Sequence, residues 1–496
     1  MRAKRMLGTP PEQGEPRHTP QLSRPSVLTG GRNILPRGRL REGMRLESRR
    51  DLLRIGTVQL GALGLAAQTA RAAGAAHARA RACLLLFMDG GPSQIDLLDM
   101  KPEAPSEIRG PFRPISTTVP GLQISELLPR LASQMHRATL IRSLHHEEMV
   151  HDPAVYQALT GWRHRNSIGN LVVEPTDAPQ MGAAFGYADT RPALMPKVIE
   201  LPETMKMGAR VLPGQGAGYL GATRDPFRVA LTPEGRVVQP ELALPAQLTP
   251  SRTSRRRSLL AAVNERAAAL GASAEQGELV GFQQQALEIL GDRRIAAAFD
   301  LDREPARLHD QYGRHRHGQS VLLARRLVEA GARFVSVYWG KEEQDWADGK
   351  GKRLANNPWD THRNHFPLVR DELVPRADQA LAALLGDLHE RGLLSETLVL
   401  WMGEFGRSPL ISEWASREHW PYAYSLLMAG AGVPGGATYG ATDAWAGSVT
   451  ENPVTPADVA ATVYTALGVD PHRVVADAQG QPRPLCAGNP ISALLA

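Results

Sequence analysis

Short apolar runs and longer stretches of helical period alternate along this chain. Ala82–Phe87, Ala138–Ser143, Arg333–Trp339, Thr397–Met402 and Tyr424–Ala429 are each largely apolar and bounded by charged or turn-forming residues. Runs of that length predict strands buried on both faces, the kind found in parallel sheets. Lys197–Leu201 is a further strand candidate. Between these runs, Gln319–Ala330, Asp371–Gly392 and Thr455–Leu467 repeat apolar residues every three or four positions, with Gly331 and Gly392 as stops. Pro153–Gly161 predicts a helix after the second strand, and Ile124–Met135 predicts another with Ser125 as its cap. Residues 166–302 are least informative, with a Gly-rich loop at Gly214–Gly221 and a helical run from Ser258 to Phe299. The alternation predicts an α/β fold around a mostly parallel sheet, without internal repeats.

Parallel strands deliver their carboxyl ends to one edge, where open α/β sheets hold ligands. The first run stops at Asp89-Gly90-Gly91-Pro92, and Ser93, Asp96 and Asp99 follow in the same loop. Three neighbouring carboxylates repel unless a cation or basic group holds them. The alternative is an ordinary strand-to-helix turn with Ser93 and Asp96 as caps. His151, Asp360 with His362, Glu404 and His419 each stand at a strand end or in a loop just beyond one. Such Asp, Glu and His donors suit Zn²⁺, Mn²⁺, Mg²⁺ or Ca²⁺. A divalent ion there would polarise an ester oxygen and lower the pKa of a bound water. Each residue also has a plainer reading: Asp360 as a helix cap, Glu404 paired with Arg407, His419 packed beside Trp420.

Composition changes this picture at the N-terminus. The net charge of +6 arises from a basic excess ahead of Arg81, which leaves the rest of the chain net acidic and argues against a nucleic-acid-binding body. Ser48-Arg49-Arg50-Asp51-Leu52-Leu53-Arg54 precedes an apolar, glycine-containing stretch and then small residues, the layout of a twin-arginine export signal cut between Ala70 and Ala80. The apolar stretch is too short and glycine-rich for a membrane span. The expected organisation is therefore a disordered extension over 1–43, with initiation at Met44 as its simplest account, a signal over 44–80 and one domain over 81–496. The mature protein is expected in the periplasm or otherwise outside the cytoplasm, after contact with the twin-arginine translocase. The two cysteines, Cys83 and Cys486, have no zinc-type spacing, and an oxidising compartment leaves a bridge between them open.

Gly90-Gly-Pro-Ser-Gln-Ile-Asp96, Met100-Lys-Pro102, Glu107-Ile-Arg-Gly110, Gly318 to Val328, Trp359-Asp-Thr-His362, Gly403-Glu-Phe-Gly-Arg407, Glu418-His-Trp-Pro421 and Tyr439-Gly-Ala-Thr-Asp443 together carry a resemblance. From Ala82 to Asp470 the chain resembles domain-of-unknown-function family 1501, a relative of sulfatases and alkaline phosphatases. The resemblance implies an alkaline-phosphatase-like α/β/α sandwich with a metal site at the sheet edge. It places Asp89 where sulfatases keep an acidic ligand, and Gly403-Glu-Phe-Gly406 where the superfamily has Ser-Asp-His-Gly. It also sets His151 at the nucleophile position, ahead of the ending Leu159-Thr-Gly161. Phe405 replaces a histidine ligand, Gln94 stands where many members carry His, and no Ser, Thr or Cys heads the nucleophile helix.

The resulting expectation is metal-dependent hydrolysis of an anionic phosphate or sulfate ester. Asp89, Asp360, His362, Glu404 and His419 would hold metal, with Asp96 as a second-tier ligand. His151 would face the reacting group and Arg407 would bind a substrate oxyanion. The rival expectation is an exported scaffold or binding protein that keeps the fold with a degenerate site, because the usual covalent route lacks its hydroxyl or thiol.

Overall fold

The computed structural model describes residues 79–238, 250–269, 293–339 and 358–495. An eight-stranded sheet forms its centre. In chain order its strands are β1 (Ala82–Phe87), β2 (Ala138–Leu144), β3 (Val198–Leu201), β4 (Phe227–Arg228), β5 (Phe334–Tyr338), β6 (Thr397–Met402), β7 (Tyr424–Ala429) and β8 (Ala437–Tyr439). They lie side by side in the order β8-β2-β7-β6-β1-β5-β3-β4. β1 is central, running parallel to β5 through Cys83↔Phe334 and to β6 through Ala82↔Thr397.

The period of two along β1 explains why every residue in it is buried. Leu84, Leu86 and Met88 enter one core with Val321 and Leu322 of α3 (Arg316–Glu329) and Leu381 and Leu384 of α4 (Val374–Glu390). Cys83, Leu85 and Phe87 enter the opposite core with Val155 and Leu159 of α1 (His151–Thr160), Phe185 of α2 (Met181–Ala188), and Val459 and Val463 of α5 (Pro456–Ala466). Both faces of the sheet are thus covered by helices, which is what a strand without a polar face requires. α5 begins at a capping box, with Asp458 N donating to Thr455 Oγ1 at 3.3 Å and Thr455 N donating to Asp458 Oδ2 at 2.9 Å.

Two features depart from the pattern the sequence predicts. β7 is antiparallel to both neighbours, so its first residue, Tyr424, lies at the edge where β6 ends. The predicted helix over Ile124–Met135 is mostly not one. Gln123–Ser125 pairs as a strand with Pro114–Ser116, and the helix is only Pro129–Ala132. Pro129 fits the first helical turn and not a helix interior, so the periodicity upstream of it cannot be helical. The Asp378 carboxylate of α4 takes the free N–H groups of Arg130 at 3.0 Å and Leu131 at 2.7 Å.

The expected helical run Ser258–Phe299 is described as helices Pro250–Ala269 and Arg293–Phe299, with residues 270–292 outside the described residues. The N-terminal extension and the export signal also lie outside them. Cys83 and Cys486 are both buried and unbridged. Among the described residues no helix is long and apolar enough to cross a membrane.

Candidate metal centre

Three connections and the Trp359–Asp360 segment bring polar residues to the edge where β1, β2 and β6 end. β1 runs into Asp89 and Gly90. Gly90 has φ +121°, and a Cβ on it would lie 2.2 Å from the backbone nitrogen of Asp360. The missing side chain therefore lets the two loops touch, and Trp359 N donates to the Asp89 carbonyl at 3.0 Å. β2 leads to α1, whose first residue is His151. β6 leads to Glu404 and then to a short hairpin in which Gly406 pairs with Trp420 and Arg407 with His419.

His151, Asp360 and His419 each offer a donor atom, and these atoms all lie within 4.8 Å of one another. Glu404 orients the first of them. Its Oε1 is 2.7 Å from His151 Nδ1 and accepts from Gly90 N at 3.0 Å. That contact leaves His151 Nε2 buried and paired with Asp360 Oδ2 at 3.2 Å. Asp360 Oδ1 is 2.8 Å from Arg407 Nη2, 3.1 Å from His419 Nε2 and 3.0 Å from His362 Nε2. The nitrogens His362 Nε2 and His419 Nε2 are 2.8 Å apart. His419 Nδ1 lies 2.9 Å from the Met149 carbonyl, and His362 Nδ1 lies 2.8 Å from Glu418 Oε2. The Phe405 ring packs against His151 and His419, with centroids 5.0 and 4.4 Å away.

The electrostatics follow from this packing. Burial by itself would lower the His151 pKa, but the contacts with Asp360 and Glu404 outweigh it and raise the pKa to about 10. Burial would raise the pKa of Asp360; His151, His362, His419 and Arg407 overcome this and hold it far below the usual carboxylate range. His419 is lowered to about 4, chiefly by burial, against its contact with Asp360. The centre thus draws positive charge towards one carboxylate. Imidazole nitrogens beside a carboxylate are a donor set suited to Zn²⁺ or Mn²⁺. His419 and His362 are each held through Nδ1, by the Met149 carbonyl and by Glu418, with Nε2 turned towards Asp360, as metal-binding imidazoles are held by their other nitrogen. The residues present therefore fit a divalent ion, with His151, Asp360 and His419 as its holders and His362 adjacent.

The other residues singled out in the sequence fall into place differently. Asp89 is buried at the same edge, but it is not among the three whose donor atoms converge. Glu404 holds His151 and the Gly90 amide. Arg407 is fully buried and its guanidinium points inwards: Nε donates to the Gly91 carbonyl at 2.9 Å, Nη1 to the Arg417 carbonyl at 3.3 Å, and Nη2 to the Gly90 and Trp359 carbonyls as well as to Asp360. It braces the centre and is not turned towards solvent as an anion-binding group. Asp96 is not brought to Asp360. The first turn of the short helix Gln94–Leu97, capped by Ser93, swings it towards Arg417 and His365. Asp99 pairs with Lys101 and Arg142. Gln94 donates its amide to the Arg407 and Ala446 carbonyls and accepts from Arg407 N, fastening the hairpin.

Sequence reasoning gave Glu418 and the buried Arg417 no role in the site, and took Gly90 only as part of the loop after the first run. Glu418 was legible as the neighbour of His419. Nothing in the local pattern marks Arg417 as buried, because arginine is ordinarily exposed.

The family model described as "Protein of unknown function (DUF1501)" matches residues 80–495. No curated protein matches the chain. Similar solved structures include the phosphonate monoester hydrolase SpPMH from Silicibacter pomeroyi, with 12% identity over 84% of this chain and 76% of that chain and a TM-score of 0.36. The PsFucS1 sulfatase from Pseudoalteromonas sp. aligns at 10% identity over 81% and 71%, with a TM-score of 0.33. The lipoteichoic acid synthase LtaP from Listeria monocytogenes aligns at 10% over 79% and 73%, with a TM-score of 0.34. Nothing about this chain's chemistry follows from overlaps of that size.

Proposed function

The chain belongs to the DUF1501 family of proteins of unknown function, and from its own residues we propose an exported, divalent-metal-dependent hydrolase of phosphate or sulfate esters. The observation that carries the proposal is the convergence of His151, Asp360 and His419, with His151 Nε2 buried and 3.2 Å from Asp360 Oδ2. A bound ion would supply Lewis acidity towards the ester oxygen and a more acidic water. The chain's residues then divide the remaining work. Glu404 orients His151, and Arg407 braces Asp360 against two loops. His362, with its side chain 35% exposed and held by Glu418, stands at the open side, where an anionic ester would enter.

The direct test is metal content of the purified mature protein, prepared without a histidine tag, together with turnover of aryl phosphate and aryl sulfate esters. Stoichiometric Zn²⁺ or Mn²⁺ that disappears in His419→Ala is the expected result. A parent that takes up neither ion on reconstitution refutes the reading. One observation favours a second reading, a metal-binding scaffold without turnover: His151 heads α1 where an ester hydrolase of the covalent type needs a hydroxyl or thiol. Metal uptake without turnover of any ester in a broad panel would select it.

Export is part of the proposal. Replacing Arg49 and Arg50 together by Lys is expected to leave unprocessed protein in the cytoplasm, as the twin-arginine translocase reads the pair. Unchanged processing would refute that assignment.

A further inference from the structure

We propose that the buried Asp96 carboxylate, with Arg417 and His365, sets the spacing of Asp360 and His419, and so the affinity of the metal centre, without contacting an ion. The inference rests on the metal-centre reading above. Asp96, Arg417 and His365 are all essentially inaccessible. Asp96 Oδ2 accepts from Arg417 Nε at 2.7 Å and from Ser93 Oγ at 2.6 Å, and lies 2.9 Å from His365 Nε2. Its Oδ1 accepts from Arg417 Nη2 at 3.0 Å. One carboxylate therefore ties together three segments far apart in sequence.

Each tie leads to one holder of the ion. On one side, His365 Nδ1 is 2.6 Å from Thr361 Oγ1, and Thr361 directly follows Asp360. Ser416 Oγ donates to the Thr361 carbonyl at 2.6 Å, closing the same link from the hairpin. On the other side, Arg417 stands two residues before His419. Its remaining donors go to the carbonyls of Ile108, Ser408 and Pro409, so the guanidinium has no freedom to turn. The Arg417 carbonyl in turn accepts from Arg407 Nη1 at 3.3 Å, while Arg407 Nη2 holds Asp360. Asp360 and His419 thus hang from the same anchor by two short paths. The Asp96–Arg417 pair carries no net charge. Groups behind a ligand that fix its orientation typically change metal affinity 10- to 100-fold when altered.

The test is a titration of the metal-free protein with Co²⁺ alone, followed by its visible d–d absorption and by equilibrium dialysis. The proteins compared are the parent, Arg417→Lys, His365→Gln and Arg325→Lys. Arg325 is an equally buried arginine, paired with Glu304 and Asp387, which are not residues of the centre, and serves as the control for general loosening. Arg417→Lys and His365→Gln are expected to keep the parent's circular dichroism, to weaken Co²⁺ binding about 10-fold and to shift the d–d bands. Arg325→Lys is expected to lower the melting temperature and leave the Co²⁺ isotherm unchanged. Should Arg417→Lys fail to fold, His365→Gln decides. Parent-like isotherms in the folded variants, or equal weakening in Arg325→Lys, overturn the inference and leave the metal reading standing. A parent that binds no Co²⁺ overturns the metal reading and this inference with it.

Discussion

Asp96 and Asp360 are both buried aspartates beside an arginine and a histidine, yet their surroundings differ in one decisive respect. Arg417 grips Asp96 with two nitrogens, and Ser93 and His365 complete the shell. Arg407 reaches Asp360 with a single nitrogen, because the rest of its guanidinium is held by backbone carbonyls. Three imidazoles gather at Asp360. A carboxylate saturated by a bidentate arginine serves the architecture. One held by a single guanidinium nitrogen and ringed by imidazoles is arranged for a cation.

The sharpest way to break this contrast is Arg417→Ala. Removing one partner of a buried pair strands the other charge, so a loss of about 3–5 kcal/mol is expected in chemical denaturation. A loss below about 1 kcal/mol would mean that Asp96 is not an architectural anchor. Asp360→Ala should behave in the opposite manner. Arg407 keeps its carbonyl partners, so the fold survives, while Zn²⁺ affinity measured by calorimetry drops about 100-fold as a ligand is lost. Equal Zn²⁺ binding by this variant would place the ion elsewhere. Glu404→Gln keeps the Gly90 contact but weakens the hold on His151, and a smaller loss of about 10-fold in Zn²⁺ affinity is expected in the same assay.

The smallest effect concerns acid. Burial would raise the pKa of Asp96, but Arg417 and His365 hold it below the usual carboxylate range. A depressed carboxylate stabilises the fold above its unfolded pKa, and that contribution is lost as pH falls through the folded value. The parent's stability should therefore decline below about pH 4, by at most about 1.4 kcal/mol per pH unit from this one group. Asp96→Asn should flatten that limb in acid titrations followed by circular dichroism. An unchanged slope would show that Asp96 is not the group responsible.

Much of this arrangement was legible in the chain. β1, β6 and β7 begin or end where their apolar runs do, and His151, Asp360 and His419 do converge. The opposite direction of β7 was not legible, because a strand buried on both faces reads alike both ways. The fate of Asp96 was hidden for a related reason. Proximity to Asp89 in sequence suggested a shared site, whereas a single capped turn at Ser93 sends the two carboxylates in different directions. The inward turn of Arg407 was invisible too, since its acceptors are backbone carbonyls of Gly90, Gly91 and Trp359, which leave no trace in residue type.

The reversal of β7 bears on how the chain uses its length. Adjacent antiparallel strands need only a tight turn of a few residues between them, whereas a parallel pair demands a crossover. β6 and β7 are adjacent and antiparallel, yet residues 403–423 separate them. Connectivity does not ask for this detour. Its residues include Glu404, Arg407, Arg417 and His419, and it starts and finishes on one rim. Insertions or deletions in it leave the strand order untouched, so this segment is the place where chains of the same architecture can diverge in what they bind.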